Sequence, residues 1–262
     1  MSAVDGEDRL LPHERHLRIL EQARSHSRVE VAALARELDV TSETIRRDLT
    51  ILEQQGQLRR VHGGAVHVQR LGYEPSVTAR LERQTAEKAR IARAALDLLP
   101  EAGSILIDSG TTTMELARRI PLDRALTVVT NSLPVAALLA DWPQVELLML
   151  GGRLREVTKA MVGPWPMAAL ERLRVDVAFI GANGVTPQAG LTTPDLAEAQ
   201  VKSAMVAAGG LVACLADRTK IGQTQLCRFA DLGEVDVIVT DSGVDDQLAD
   251  ELADAGPRVV RA

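Results

Sequence analysis

The stretch from Val31 to Ala65 reads VAALARELDVTSETIRRDLTILEQQGQLRRVHGGA, and it decides the fold of the first part of the chain. Its first apolar residues recur at the spacing of one helix face: Val31, Leu34, Ala35 and Leu38. A short connection at Asp39 and Val40 leads to a second helix. Thr41 or Ser42 can cap that helix by accepting a hydrogen bond from its free N–H groups. Its buried face is predicted to hold Ile45, Leu49 and Leu52.

Patterns on both sides of the two helices complete a small domain. Before them, residues 15–25 predict a first helix of about three turns. Its apolar side is predicted to hold Leu17, Leu20 and Ala23. After them, alternating residues around Gly63 and Gly64 predict a β-hairpin that would form a wing. Two helices joined by a tight turn and followed by a hairpin are typical of a winged helix-turn-helix domain, predicted here for residues 1–70.

Arginine and hydroxyl side chains are concentrated on the last helix and the wing of this domain. The planar guanidinium group of arginine can bind guanine O6 and N7 or grip a phosphate. We therefore predict a set of residues that contact DNA: Thr41, Ser42, Glu43, Thr44, Arg46, Arg47, Arg59, Arg60 and His62. The competing interpretation is a small helical bundle whose arginines only face solvent.

The second part of the chain shows a different pattern. From Thr85 onward, predicted helices alternate with short β-branched or aliphatic runs, such as SILID, LTVVTN, VDVAFIGA and VDVIVTD. This alternation predicts an α/β domain with a largely parallel sheet that is flanked by helices. Gly72 and Pro75 interrupt the hydrophobic pattern. We therefore predict a linker at residues 71–84 and the α/β domain at residues 85–262.

Several predicted strands of this domain end in glycine or polar residues. Ligands bind outside the carboxyl ends of the strands in such sheets, so these residues are expected around one site. The sequence DSGTTT at residues 108–113 suits a phosphate or sugar phosphate, because glycine, hydroxyl groups and a helix start offer hydrogen-bond donors. Lys220 can supply a counter-charge. The predicted effector-binding residues are Asp108, Ser109, Gly110, Thr111, Thr112, Thr113, Thr130, Asn131, Ser132, Gly152, Asn183 and Lys220. Each strand end, taken alone, is also explained by ordinary loop chemistry.

Composition excludes several classes of site. All five histidines lie within residues 1–70, so the larger segment cannot form a Ser-His-Asp or Cys-His catalytic group or a His-ligated zinc site. Cys214 and Cys227 do not form a CxxC pair and are predicted to be core thiols. The first 70 residues hold 11 arginines and 11 acidic residues, so the net charge of −6 belongs to the remainder and nucleic-acid contact must be local. We predict no metal and no cofactor.

Location is predicted from two features of the sequence. No run approaches the roughly 18 consecutive apolar residues of a membrane span. The charged start of the sequence does not resemble a signal peptide. We therefore expect a cytoplasmic protein without a membrane partner.

Several runs of the sequence resemble the DeoR family of bacterial transcription regulators. The most specific is TIRRDL followed by HGGA, within residues 31–65. DSGTTT, VVTNSL, LLMLGG, GLTT and ADRTKIG resemble the C-terminal effector domain of the same family. The resemblance implies a Rossmann-like domain, similar in fold to ribose-5-phosphate isomerase, that senses phosphorylated sugars, and a head that binds operators of carbohydrate genes. Thr219 and Ile221 stand where the family usually has Ser and Phe, and Lys159-Ala160 stands where a small polar residue is frequent.

The sequence therefore predicts a repressor of carbohydrate genes that binds double-stranded operator DNA and a phosphorylated sugar. A homo-oligomer is expected, because paired half-sites need more than one reading head. The alternatives are a sugar-phosphate isomerase and a protein-interaction module. Related isomerases carry a D-G-A-D-E motif, and the best match here, residues 180–184, has lost all three acids. Asp108, Glu198 and Lys202 remain as candidates for proton transfer. An i, i+4 ion pair between Glu198 and Lys202 is the simpler expectation, and no enzyme is predicted.

Overall fold

The structure is a computed structural model that describes residues 10–26, 28–54, 57–61, 63–67 and 74–262. Contacts divide the chain into two units, residues 1–70 and residues 71–262. Within the described ranges, no helix is long and apolar enough to cross a membrane.

The first unit combines three helices with a small antiparallel sheet. Its helices are α1 (Pro12–His26), α2 (Val31–Glu37) and α3 (Ser42–Gln54). Its strands are β1 (Arg28–Glu30), β2 (Leu58–Val61) and β3 (Gly64–His67). The strand order is β1-β3-β2, with β2 and β3 forming the wing. The predicted winged helix-turn-helix fold is confirmed.

Apolar side chains from all three helices fill the core of this unit. The predicted buried residues of α3 are buried: Ile45, Leu49 and Leu52. The predicted face of α1 is partly wrong, because Leu17 is 63% exposed whereas Ile19 is fully buried. Residues three apart fall about 60° short of a full turn, so the series through Leu17, Leu20 and Ala23 drifts around the helix. Ile19 and Ala23 are four apart and share the buried side.

The two glycines of the wing have different roles. Gly63 lies in the turn and has φ of +79°, a conformation that favours glycine. Gly64 lies against β1, where a Cβ atom would meet the Val29 carbonyl oxygen at 1.9 Å. Val29 belongs to this strand, which lies directly before α2. A third strand therefore supports the predicted hairpin.

The second unit is an α/β unit. Its helices are α4 (Val77–Leu81), α5 (Thr85–Ala95), α6 (Thr111–Ala117), α7 (Leu133–Leu139), α8 (Pro164–Leu170), α9 (Leu196–Ala208) and α10 (Asp246–Asp254). Its strands are β4 (Gly103–Ile107), β5 (Leu126–Thr130), β6 (Val145–Met149), β7 (Arg153–Arg155), β8 (Ala160–Val162), β9 (Val175–Gly181), β10 (Gly184–Thr186), β11 (Gly190–Thr193), β12 (Gly209–Leu215), β13 (Cys227–Ala230), β14 (Val237–Thr240) and β15 (Arg258–Arg261). Two short 3-10 helices cover Leu96–Leu98 and Leu232–Glu234.

Seven of these strands form one sheet, in the order β15-β14-β12-β9-β4-β5-β6. Every pair of neighbours in it is parallel, which confirms the predicted parallel sheet. Ile105 and Ile107 of β4 face a core formed with α5, α6 and α7. Leu106 faces the opposite core, formed with α8, α9 and α10. Because both faces of the central strands are covered by helices, their sequences are continuously apolar.

The predicted linker, residues 71–84, is described from its fourth residue onward, and residues 74–84 are called the connecting segment below. This segment contains α4, and the Val77 amide N–H donates to the Val157 carbonyl at 2.8 Å. The ammonium group of Lys88 donates to two carbonyl groups of the segment, at 2.5 Å each. The connecting segment therefore belongs to the second unit and packs against its other residues.

Candidate nucleic-acid interface and ligand site

The cap of α3 fixes where the candidate recognition helix begins. Asp39 has φ of +48°, so the chain turns sharply between α2 and α3. The Thr41 hydroxyl oxygen accepts the Thr44 amide N–H at 3.1 Å, which is the bond of an N-cap residue. Of the two cap candidates, Thr41 makes this bond and Ser42 is the first residue of the helix.

The outer face of α3 presents two arginines to solvent. Arg46 and Arg47 are both exposed. Arg46 Nη1 lies 3.4 Å from the carboxylate of Glu43, which is also exposed. An ion pair this open to solvent contributes little to stability, so Arg46 can exchange the carboxylate for a phosphate or a base edge.

Arg60 brings a third arginine beside this face. Its amide N–H donates to Glu53 Oε1 at 2.8 Å, and its Nη1 donates to Thr50 Oγ1 at 3.0 Å. The residue nevertheless stays exposed. These two bonds join the wing to α3. The exposed Arg60 side chain can therefore contact DNA beside that helix. Two further predicted DNA contacts, His62 and the side chain of Arg59, lie outside the described residues.

A buried ion pair that the apolar pattern of the sequence did not predict holds α3 against α1. Arg15 Nε and Nη2 donate to the two carboxylate oxygens of Asp48 at 2.6 and 3.1 Å. His16 Nε2 lies 3.0 Å from Asp48 Oδ1. Asp48 follows Ile45 by three positions on the buried face of α3, so an acid within an apolar face was the available signal. The pair fixes the helix that presents the exposed arginines.

In the second unit, polar residues meet at the carboxyl ends of neighbouring strands. The chain goes from β4 to β5 and β6 on one side and to β9 and β12 on the other. Ligands of open α/β sheets bind at such a reversal of strand order. The Asn131 side chain and the Gly181 amide both bond to residues 108–109, so the loops after β4, β5 and β9 meet there. This edge of the sheet is the candidate ligand site.

Asp108 lies at the centre of this edge, but its carboxylate is already occupied. The residue is fully buried. Its Oδ2 pairs with the Lys202 ammonium group and accepts the Gly181 amide N–H at 2.9 Å. Its Oδ1 accepts the Ser109 amide N–H at 2.7 Å. Asp108 was predicted to bind the effector, whereas in the structure it holds the loops after β4 and β9 in place.

The expected ion pair between Glu198 and Lys202 is not formed. Lys202 pairs with Asp108, and Glu198 instead accepts Arg155 Nη1 at 3.2 Å and the hydroxyl group of Thr158. Both α9 side chains are buried. Residues four apart on a helix stabilise each other only weakly, so stronger buried partners from other elements prevail here.

Three predicted ligand residues lie at the end of β5 and directly after it. Thr130 Oγ1 donates to the Ile107 carbonyl at 2.6 Å, and Ser132 Oγ caps α7 by accepting an amide N–H at 3.4 Å. Asn131 lies between them, and its Oδ1 accepts the Ser109 amide N–H at 3.1 Å. Thr130 and Ser132 therefore support the backbone, while Asn131 joins the loops after β4 and β5.

The DSGTTT loop folds tightly around the start of α6. The Thr113 hydroxyl donates to the Gly110 carbonyl at 3.1 Å, and Thr111 and Thr112 are also buried. The loop thus lies at the candidate edge, to which its first two residues, Asp108 and Ser109, are bonded. Packing alone explains why residue 152 is a glycine. A Cβ atom at Gly152 would lie 2.9 Å from Pro166 Cδ, which is too close for any larger residue.

Lys88 is a buried cation that the sequence analysis missed. Its Nζ donates to the Arg80 and Arg83 carbonyls, and burial lowers the pKa of Lys88 to about 8. The nearby carboxylate of Asp217 opposes this change, and the charge of Lys220 adds to it. Lys88 and Lys220 are thus close enough for the charge of Lys220 to affect the pKa of Lys88. The signal in the sequence was a lysine at the start of the apolar face of α5, which continues with Ile91, Ala92 and Ala95.

A cluster of charged residues surrounds Asn183 after the end of β9. Glu74 Oε1 accepts Asn183 Nδ2 at 3.2 Å and lies 3.6 Å from Arg80 Nη1. Glu74 Oε2 accepts Arg155 Nη1 at 2.6 Å, and the same nitrogen donates to Glu198. Burial raises the pKa of Glu198, and the charge of Glu74 raises it further. These five residues are called the Glu74 cluster below, and only Asn183 among them was predicted to bind the effector.

The described residues contain no group of three or more side chains that could hold a metal ion. Cys214 is buried in β12, and burial raises the pKa of its thiol to about 12. A thiol with so high a pKa stays protonated and is a poor nucleophile. Cys227 is half-buried.

Comparisons with known proteins agree with this two-part architecture. Residues 15–70 match the DeoR-like helix-turn-helix domain, and residues 83–242 match the DeoR C terminal sensor domain. The HTH-type transcriptional regulator GlpR of Haloferax volcanii is 38% identical over 251 residues, which are 96% of this chain and 98% of that protein. The HTH-type transcriptional repressor GlcR of Bacillus subtilis is 32% identical over 87% of this chain and 88% of its own length.

Similarity to solved structures is weaker. Ribose 5 phosphate isomerase A from Neisseria gonorrhoeae covers 51% of this chain and 52% of its own, with 18% identity and a TM-score of 0.38. The eIF2B delta structure from Chaetomium thermophilum covers 87% of this chain and 70% of its own, with 13% identity and a TM-score of 0.44. The sequence matches extend over both units, and on that ground the chain belongs to the DeoR family of transcriptional regulators.

Proposed function

We propose that this regulator represses carbohydrate genes by binding operator DNA through its first unit. The observation that carries the DNA-binding part is the exposed arginine face, formed by Arg46 and Arg47 of α3 and Arg60 of the wing. A helix of this kind fits the major groove, and arginine is the side chain best suited to guanine and phosphate. The proposed DNA contacts are those predicted from the sequence: Thr41, Ser42, Glu43, Thr44, Arg46, Arg47, Arg59, Arg60 and His62.

We propose further that the second unit binds a phosphorylated sugar or a related intermediate at the candidate ligand site. Lys220 supports this assignment, because it follows the carboxyl end of β12 and its positive charge favours an anionic ligand; Lys88 is close enough for the charge of Lys220 to lower its pKa further. The DSGTTT loop, Asn131 and Asn183 would surround the hydroxyl and phosphate groups. The ligand lowers DNA affinity only if it binds better to the arrangement that does not bind DNA.

The same site supports a regulator in preference to an isomerase. Proton transfer needs a carboxylate or another base that can reach the substrate. Asp108 is fully buried and paired with Lys202, and Glu198 is held by Arg155 and Thr158. The two acids that remained as catalytic candidates therefore have structural partners, and we propose that the chain binds its sugar phosphate without converting it.

The active form is proposed to be a homo-oligomer in the cytoplasm, where its DNA is. Leu148 and Met149 of the edge strand β6 are 41% and 40% exposed, and Trp165, which is 75% exposed, lies beside Gly151 two residues after that strand. Exposed apolar surface of this kind is typical of protein interfaces. Light scattering should therefore give a lower mass for the Met149→Glu variant than for the wild type. An unchanged mass would exclude this patch as the interface.

The DNA-binding proposal is tested by the salt dependence of binding to a labelled duplex taken from upstream of the gene. Each arginine that neutralises a phosphate releases counterions, so log affinity should fall linearly and steeply with log salt concentration. A variant with Arg46, Arg47 and Arg60 all changed to alanine should bind more weakly and with a shallower slope. A flat salt dependence of the wild type would contradict DNA binding and favour a protein-interaction module.

A further inference from the structure

Glu74 carries a carboxylate from the connecting segment into the ligand site of the second unit. Its side chain is only 2% exposed. It bonds to Asn183, which follows β9, and to Arg155. Glu74 also stands only four positions after Arg70, the last residue of the first unit. The start of the connecting segment is thus fastened, by charge, to the edge of the sheet where the effector is proposed to bind.

Arg80 has more hydrogen-bond donors than Glu74 can use. Its Nε and Nη2 atoms are buried and have no hydrogen-bond partner, and its Nη1 lies 3.6 Å from Glu74 Oε1. Leaving buried donors unpaired costs free energy, and more so when they carry charge. A phosphate group has three oxygens that can accept from a guanidinium fork, so it would pair with Arg80 better than this carboxylate does.

The Nη1 atom of Arg155 is shared by two carboxylates that repel each other, while the Nε atom of this residue pairs with Asp195. Its Nη1 lies 2.6 Å from Glu74 Oε2 and 3.2 Å from Glu198 Oε1. Glu198 is held in addition by the Thr158 hydroxyl and is part of the 13-residue helix α9. Glu74 is held in addition by the Asn183 amide group, but it lies outside any helix, two residues before the Ser76 cap of the short helix α4. Of the two acids, Glu74 is the one that an incoming anion can displace.

We propose that the Glu74 carboxylate occupies the subsite for the phosphate group of the effector, and that the bound effector displaces it from Arg155 and Arg80. This inference rests on the proposed function, because it concerns the same site. Displacement breaks the bonds that fasten the start of the connecting segment. The connecting segment is thus bonded to the site in the free protein and released from it when the effector is bound. Because this segment leads to the DNA-binding unit, effector binding is transmitted towards that unit.

The first test is calorimetric titration of inorganic phosphate into the full-length protein. Glu74→Gln keeps the shape of the side chain and removes its charge. Glu82→Gln makes the same change of charge at an exposed position of the same segment. Because the internal competitor is weakened, the Kd for phosphate should be lower by about tenfold in Glu74→Gln and unchanged in Glu82→Gln. Equal affinity of all three proteins would overturn the inference.

The second test needs no variant, so it does not depend on whether Glu74→Gln folds. Hydrogen exchange is measured on the wild type with and without saturating phosphate. The Val77 amide, which bonds to the Val157 carbonyl, should exchange faster when phosphate is bound, while the Leu106 amide in the core of the sheet should not change. Unchanged or slower exchange at Val77 would overturn the inference.

The outcomes separate this inference from the proposed function. If the wild type binds phosphate and duplex DNA but Glu74→Gln binds phosphate no more tightly, the inference fails and the proposed function stands. If neither inorganic phosphate nor any sugar phosphate binds to the wild type or to Glu74→Gln, both the inference and the proposed effector are contradicted.

Discussion

In the first unit the arginines proposed to bind DNA are exposed, whereas in the second unit the charged residues around the proposed effector site are buried and paired. Arg46 meets one exposed carboxylate at 3.4 Å. Arg155 contacts three carboxylates, from Glu74, Asp195 and Glu198. The difference follows from the partners: the phosphate groups of DNA reach the first unit from solvent, whereas a small ligand is enclosed by charged groups, most of which are paired with one another.

This contrast has an energetic side. An exposed arginine can be removed at little cost to the fold, so its loss should appear in DNA affinity alone. A buried ion pair behaves differently, because the loss of one partner leaves the other charged and without compensation. Mutations in the two regions should therefore separate into losses of binding and losses of stability.

The largest expected effect is at the buried pair of Lys202 and Asp108. Lys202→Met should lower the free energy of unfolding of the second unit by about 3–5 kcal/mol, because it leaves the Asp108 carboxylate buried without its cation. Urea denaturation measures the change. Arg228→Met breaks an exposed ion pair of the same unit and should cost less than about 1 kcal/mol. Equal losses in both variants would contradict the contrast.

The next effect is expected at the one buried ion pair described in the first unit. Asp48→Asn should lower the free energy of opening of α3 by about 2–3 kcal/mol, because Arg15 loses its charged partner. Native-state hydrogen exchange at the Ile45 and Leu49 amides measures the free energy of opening of this helix. Glu43→Gln, an exposed change on the same helix, serves as the control. A loss as small as that of the control would show that the pair does not hold α3.

A smaller effect is expected on DNA affinity. Arg46→Ala should weaken binding to the operator by about 1–3 kcal/mol if Arg46 reads a base, and leave the unfolding of the protein unchanged. Arg18→Ala, an exposed change on α1, is the matched control. Anisotropy of a labelled duplex measures both variants. Identical affinities would remove Arg46 from the interface.

The smallest effect concerns pH. The pKa of Lys88 is lowered to about 8 by burial, so its ammonium group is present below that pH and is lost above it. The affinity for a phosphorylated ligand should therefore be steady between pH 7 and the pKa and should fall above it, by up to about tenfold per pH unit. Titration calorimetry at pH 7, 8 and 9 tests this. In Lys88→Met the affinity should be lower and nearly independent of pH over that range, and the same fall in both proteins would exclude Lys88.

Local patterns were sufficient for much of the fold. The spacing of Ile45, Leu49 and Leu52 predicts the buried side of α3, because a helix repeats over residues that are close in sequence. The same holds for the apolar strands of the parallel sheet. The error at Leu17 has the same origin, since residues three apart fit one helix face only approximately.

The candidate site could be predicted only in part, because its partners are distant in sequence. The strand-end rule leads to Asp108 and Asn131, but it does not reveal that Lys202 occupies the Asp108 carboxylate. Glu74 and Arg155 lie 81 positions apart, and no periodicity connects them. The tertiary fold determines which buried charges lie next to each other. The Glu74 cluster could therefore be identified only from the structure.

The central claim, that a ligand in the buried site controls an exposed DNA-binding face, is tested most directly by linkage. A preformed complex of the protein with its labelled operator duplex is titrated with sugar phosphates, and ligand affinity is then measured with and without the duplex. We expect at least one phosphorylated compound to raise the Kd for the duplex, and the duplex to raise the Kd for that compound by the same factor. A compound that binds tightly and leaves the Kd for the duplex unchanged would contradict the account.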